Sequence, residues 1–162
     1  MLAKIQLNKV NFVVSFIIAM SLKILPLPPY LSLFNPDWVL LALIYWTLAI
    51  PEKIGVFTAW VIGIFVDVLT GRFLGQQALA YAIISYICLK LHKRLRQYPV
   101  LQQSLFIFLC LLFSQMLMFW IENIYSVTEF SWAFWLPVFI GTMFWPVIYS
   151  TLRFVRIFGH NG

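Results

Sequence analysis

The sequence predicts an all-α bundle of membrane-spanning helices, on three observations. Hydrophobic residues make up 63% of the 162-residue chain and charged residues only 10%, with a mean hydropathy of +0.94. A water-soluble fold of this size cannot bury that much apolar surface, so lipid is the expected solvent for most of it. The hydrophobic stretches are bounded almost entirely by positive charge, the pattern by which membrane proteins set their orientation. One acidic residue, Asp67, lies inside an apolar run flanked by glycines. A helix needs ~20 residues to cross the hydrocarbon layer, so six crossings use about 120 residues and leave short loops and tails. The expectation is a single integral membrane domain over residues 1–162, with spans at about 10–25, 36–50, 54–70, 74–89, 100–121 and 132–152.

The first span follows Lys4 and Lys9 and runs from about Val10 to Leu25, with Lys23 near its far end, placed to snorkel to the interface. No small-residue cleavage pattern precedes Pro26, Pro28 and Pro29, so an uncleaved first helix is expected. The prolines end that helix because they lack the amide donor and bar helical geometry from the preceding residue. Asn35-Pro36-Asp37-Trp38 opens the second span: Asn35 suits the N-cap, Pro36 the first helical position, and Asp37 the positive end of the helix dipole. That span stops at Pro51-Glu52-Lys53, and the third ends at Thr70-Gly71-Arg72. The fourth meets the densest charge cluster, Lys90, His92, Lys93, Arg94 and Arg96, read as a topogenic loop that attracts anionic headgroups. The fifth is the longest uninterrupted apolar run, followed by an acidic connection through Glu122, Asn123 and Glu129. The sixth holds Pro137, Gly141 and Pro146, which predict a kink or broken turn.

With six spans and a cytoplasmic N-terminus, the inside carries Lys4, Lys9, Lys53, Lys90, Lys93, Arg94, Arg96, Arg153 and Arg156, and the outside only Lys23 and Arg72. Both termini are then cytoplasmic. The uncharged stretches 38–51 and 54–66 are short for a bilayer. Four spans plus a re-entrant hairpin are the alternative, with the same parity.

The net charge of +6 resides at the ends of apolar runs, so nucleic-acid binding is not expected. Cys88 and Cys110 read as buried small hydrophobes, with neither a disulfide framework nor a metal site. Trp38, Trp46, Trp60, Trp120, Trp132, Trp135 and Trp145 fall mostly near span ends and read as interface anchors. Gln102, Gln103 and Gln115 are expected to bond across helices.

The candidate site is the series Gly63, Asp67, Gly71 and Gly75, spaced by four. Gly63 and Asp67 share one helical face, and small residues there let another backbone approach closely. A carboxylate at the bilayer centre is unfavourable by ~3 kcal/mol on insertion scales, so Asp67 should face protein, water or a partner. Its place towards the outer interface brings Lys23 and Arg72 within expected reach. Three roles stay open for it: capping a helix end, docking a partner or holding the polar centre of the bundle, and binding an ion or proton. The two histidines, His92 and His160, lie in the basic cluster and the tail. No nucleophile elbow, zinc helix or phosphate-cradling loop occurs, so neither an enzyme nor a cofactor is expected.

In order and spacing these residues resemble the rod shape-determining membrane protein family MreD. The resemblance covers nearly the whole chain: the basic start, the proline-rich connection, Asn35-Pro36-Asp37-Trp38, Gly63-x-x-x-Asp67-x-x-x-Gly71, Leu74-Gly75-x-x-Ala78, Trp145-Pro146 and the basic tail. It implies a non-enzymatic component of the bacterial inner membrane that pairs with the single-span protein MreC. Together they link the MreB filament to the glycosyltransferase RodA and a class B penicillin-binding protein, for synthesis of lateral-wall peptidoglycan. It also implies a fold similar to the substrate-binding subunits of energy-coupling-factor vitamin transporters, an analogy that does not license transport. The rival expectation is a small-molecule-binding membrane subunit with an outward pocket lined by Asp67, the Asn35 region and Tyr30. An ion-coupled carrier is weaker, for want of further intramembrane acids and an internal repeat.

Overall fold

A computed structural model of the chain describes residues 9–26, 28, 30, 35, 37–51, 54–71, 74–125 and 135–158. The side chains of residues 9, 10, 125, 156 and 158 are outside that description. Among the described residues the regular structure is helical: α1 (Lys9–Ile24), α2 (Trp38–Ala49), α3 (Val56–Thr70), α4 (Gln76–Gln97), α5 (Val100–Tyr125) and α6 (Leu136–Phe158). Each expected span overlaps one of these helices, although α4, α5 and α6 run past the expected ends at 89, 121 and 152. Pro36, Glu52, Lys53, Arg72, Glu129 and Trp132 lie outside the described residues.

Side-chain contacts fix which helix ends lie together. Asn11 in α1 donates to the Val155 carbonyl in α6, at 3.1 Å. Arg96 at the end of α4 reaches the last carbonyls of α2, and Gln103 at the start of α5 reaches Leu95 in α4. These contacts define one end of the bundle, where Lys90, Lys93, Arg94, Arg96 and Arg153 also fall. The start of α2, the ends of α1 and α3 and the start of α4 meet at the opposite end. Consecutive helices therefore alternate in direction, as short connections require.

Helix α2 forms the centre. Every residue from Val39 to Ala49 is buried, so it has no solvent face and is apolar all round, the mark of an enclosed helix. Its 12 residues rise about 18 Å at 1.5 Å each, well short of a hydrocarbon layer of about 30 Å. Its two ends are met by side chains of the same protein, Asp37 at the start and Arg96 at the end. Trp46 and Trp145 are core residues rather than interface anchors: both are fully buried, and the Trp46 indole donates to Ser15 Oγ at 2.9 Å. Trp60 and Trp120 are exposed.

Two helical segments, Val100–Ile124 and Leu136–Val155, are by length and composition able to cross a membrane, whereas Asn11–Ile24, Trp38–Ala49 and Val56–Thr70 are apolar but shorter. Helix α5 carries an outward stripe of Leu101, Leu105, Leu109, Phe113, Met116, Trp120 and Ile124, all exposed, at spacings of three and four that keep them on one face. Two expectations need correction. The basic cluster Lys90–Arg96 is not a loop but the last two turns of α4, because Lys and Arg are good helix formers and cations suit the negative end of the helix dipole. At Pro146, where a kink or a broken turn is expected, α6 continues as one helix, which excludes the broken turn.

Candidate functional site

The four spaced glycine and aspartate positions come together as a clamp between α3 and α4. Gly63 faces the backbone of Ala78, and a methyl built there would sit 2.6 Å from the Ala78 amide nitrogen and 2.9 Å from the Gln77 carbonyl carbon. Nothing larger than hydrogen fits. One turn along the same face, Asp67 is fully buried. Its Oδ2 accepts from the amides of Gly75 at 3.0 Å, Gln77 at 3.2 Å and Ala78 at 3.4 Å, and its Oδ1 from Gln77 at 3.0 Å. These amides open α4 and have no partner within that helix. The carboxylate also sits where the dipole of α4 is positive. A buried negative charge is thus offset by fixed donors rather than by a cation.

The two remaining glycines make the connection. Gly71 ends α3 with φ +70° and donates its amide to the Asp67 and Val68 carbonyls, and Gly75 precedes α4 with φ +96°. Both conformations are left-handed, which glycine adopts without the Cβ penalty of other residues. Asp67 therefore serves twice: its carbonyl closes α3 and its side chain opens α4.

A second polar knot lies at the same end of the bundle. Lys23 pairs with Asp37 at 3.1 Å and donates to the Tyr81 hydroxyl at 3.4 Å. Tyr81, fully buried on α4, donates to the Asp37 carboxylate at 2.9 and 3.0 Å. Asp37 is also the N-cap of α2, accepting from the Leu40 amide at 3.2 Å. Asn35, expected as that cap, does other work. Its amide donates to the Leu22 and Lys23 carbonyls at 3.3 and 3.4 Å, closing α1, while its oxygen accepts from the Trp38 indole at 2.7 Å. Asn35, Asp37 and Trp38 are brought together as the sequence suggests, but Lys23 serves Asp37 and not the expected Asp67. Arg72 and Pro36 lie outside the described residues.

Sequence reasoning missed Tyr81 and the capping role of Arg96. Arg96 donates from Nε to the Leu48 carbonyl at 2.7 Å and from Nη2 to the Ala49 carbonyl, closing the negative end of α2. A tyrosine in an apolar run does signal a hidden partner, since a buried phenol needs one; nothing local says which. Lys90, Lys93 and Arg94 lie on the same α4 end as Arg96. Gln103 spans the α4–α5 corner, donating to the Leu95 and Tyr98 carbonyls at 2.8 and 3.4 Å. Among the described residues no group of three or more His, Cys, Asp or Glu is placed to hold a metal ion, and Cys88 and Cys110 are buried free thiols.

Among the described residues the chain is a helical bundle with apolar outer faces, in which Asp37, Asp67 and Arg96 join its own helices, an architecture of the structural, membrane-type class. The comparisons agree with that class. Residues 4–155 match the family described as rod shape-determining protein MreD. The rod shape-determining protein MreD of Haemophilus influenzae (strain Rd) is 31% identical over 141 residues, covering 87% of this chain and 87% of that protein. No solved structure matches. The chain belongs to the MreD family of rod shape-determining proteins.

Proposed function

We propose that this chain is a non-enzymatic, multi-pass scaffold of the bacterial inner membrane, with six spans in one domain and both termini in the cytoplasm. It binds MreC and thereby helps to organise lateral-wall peptidoglycan synthesis with MreB, RodA and a class B penicillin-binding protein. The family match over residues 4–155 carries the reading. Two features of the structure support it. Lys90, Lys93, Arg94, Arg96 and Arg153 gather at one end while Lys23 lies at the other, the segregation that a cytoplasmic basic end requires. The half-buried carboxylate of Asp37 and the buried one of Asp67 are held by this chain's own donors.

The α3–α4 clamp acts from behind the contact surface. Its Gly63 and Asp67 face turns inward, while Phe57, Phe65, Val68 and Leu69 of α3 are exposed on the other side. In this reading the MreC helix or its adjoining segment packs on that outer side, whose position depends on the clamp. The vitamin-type alternative asks Asp67 and Asn35 to line an outward pocket. Asp67 instead ends on the α4 amides and Asn35 on the α1 carbonyls and Trp38.

Replacement of Asp67 by Leu, and separately of Gly63 by Leu, tests the proposal through co-purification with MreC at matched membrane expression. Recovery of MreC should fall for both variants. Undiminished recovery for both rejects the clamp as a support for that surface.

A further inference from the structure

The basic end of the bundle holds a cavity of about 310 Å³ between the ends of α2, α4 and α6 and the start of α5. Its polar wall consists of Arg96, Arg153 and Gln103, and its remaining lining includes Tyr45 and Tyr149, whose rings pack edge to face at 5.6 Å. From this geometry we infer a binding site for the phosphate headgroup of an anionic phospholipid. The inference does not rest on the proposed MreC contact, because it uses none of the residues of the α3–α4 clamp.

Three observations carry it. First, Arg96 is pre-positioned. Two of its N–H groups are fixed on the Leu48 and Ala49 carbonyls, which orients the guanidinium and leaves its other donors for a ligand. Second, Arg153 has no hydrogen bond or ion pair among the described residues, yet it lines the same cavity as Arg96. The described carboxylates of Asp37 and Asp67 sit at the far end of the bundle. Two guanidinium groups converging on one cavity, without a described counter-ion, favour an oxyanion, and phosphate suits their planar forks best. Third, Gln103 is nine-tenths buried, with its amide nitrogen committed to the Leu95 and Tyr98 carbonyls. The side chain is thereby held in the cavity wall beside the two guanidinium groups.

Size and setting select a lipid. The volume falls at the small end of ligand pockets, which suits a headgroup. The outer faces of α5 and α6 expose Leu101, Leu105, Val147 and Phe154, so apolar surface for acyl chains occurs on the helices that contribute to the cavity wall. Basic pockets between membrane helices are the usual seats of anionic headgroups.

Native mass spectrometry of the full-length protein in mild detergent tests this. The probes are phosphatidylglycerol, phosphatidylcholine with the same chains, and the soluble headgroup glycerophosphoglycerol. Phosphatidylglycerol should be retained over phosphatidylcholine, and Arg153→Gln should reduce its retention by about fivefold or more. Arg153 makes no described contact within the protein, so this variant should fold normally. Lys93→Gln removes the same charge from the same end but lies outside the cavity, and should lower retention much less than Arg153→Gln does. Equal loss in Lys93→Gln, or full retention in Arg153→Gln, overturns the site. Displacement of the lipid by an equal concentration of glycerophosphoglycerol overturns its assignment to a lipid.

Discussion

At the scale of single residues, the buried carboxylate is tolerated because three backbone amides converge on it. Asp67 lies in the third helix but does its electrostatic work on the fourth, where Gly75, Gln77 and Ala78 present donors with no helical partner. Leucine at this position strands those donors away from water. Loss of a helix cap and of charge-assisted bonds predicts a destabilisation of about 3 kcal/mol for Asp67→Leu. Asparagine keeps one acceptor but turns a donor towards the amides, so Asp67→Asn should lose only about 1 kcal/mol. Reversible unfolding of the purified variants in detergent checks the order. Equal losses would mean that charge, and not acceptor geometry, dominates. Asp37 and Asn35 show why such roles are only half legible. The short Asn-Pro-Asp-Trp stretch announces a helix start, but which side chain caps it depends on distant groups. The end of α1 takes the Asn35 amide, and Asp37 becomes both the α2 cap and the anion for Lys23.

At the scale of elements, helix order was readable from apolar runs and their charged borders, because lipid and basic flanks act locally. Of the spaced glycines only Gly63 makes a close backbone approach, while Gly71 and Gly75 serve the turn, and the spacing did not name the partner. That partner is the next helix, α4. Its identity depends on the left-handed turn at Gly71 and Gly75 that brings Ala78 against Gly63. The two kinds of glycine in α3 allow a direct comparison. Gly63→Ala drives a methyl into the Ala78 backbone and should lower stability by about 1–3 kcal/mol. Gly55 has nothing within 4 Å of a built Cβ and opens α3 without a side-chain cap. Gly55→Ser should therefore be neutral or slightly stabilising, within about 0.5 kcal/mol. The same unfolding measurement serves, and a Gly63→Ala variant as stable as Gly55→Ser would contradict the close packing. The basic run Lys90–Arg96 misled in another way. Charge density suggested a loop, whereas helix propensity and the dipole at the end of α4 keep it helical.

At the scale of the whole molecule, polar groups are gathered at the two ends of the bundle and apolar side chains cover much of its flank. Helix α2 is too short to cross a bilayer alone, but Asp37 and Arg96 satisfy its two ends from within the protein. Irregular or short elements are acceptable at membrane depth when protein encloses them. This enclosure was not legible in the sequence, since a short apolar run looks alike whether lipid or neighbouring helices of the same protein surround it. The result is an inner helical frame with exposed apolar faces, in a chain that belongs to the rod shape-determining family. Its central claim is that Asp67 acts by holding two helices together and not by carrying a proton or ion. Rescue of rod shape in cells depleted of the native protein tests that claim most directly, with variants compared at equal membrane abundance. The account predicts that Asp67→Asn, which cannot titrate but still accepts hydrogen bonds, restores rods, while Asp67→Leu leaves cells rounded. Rounded cells with Asp67→Asn, or normal rods with Asp67→Leu, would contradict it.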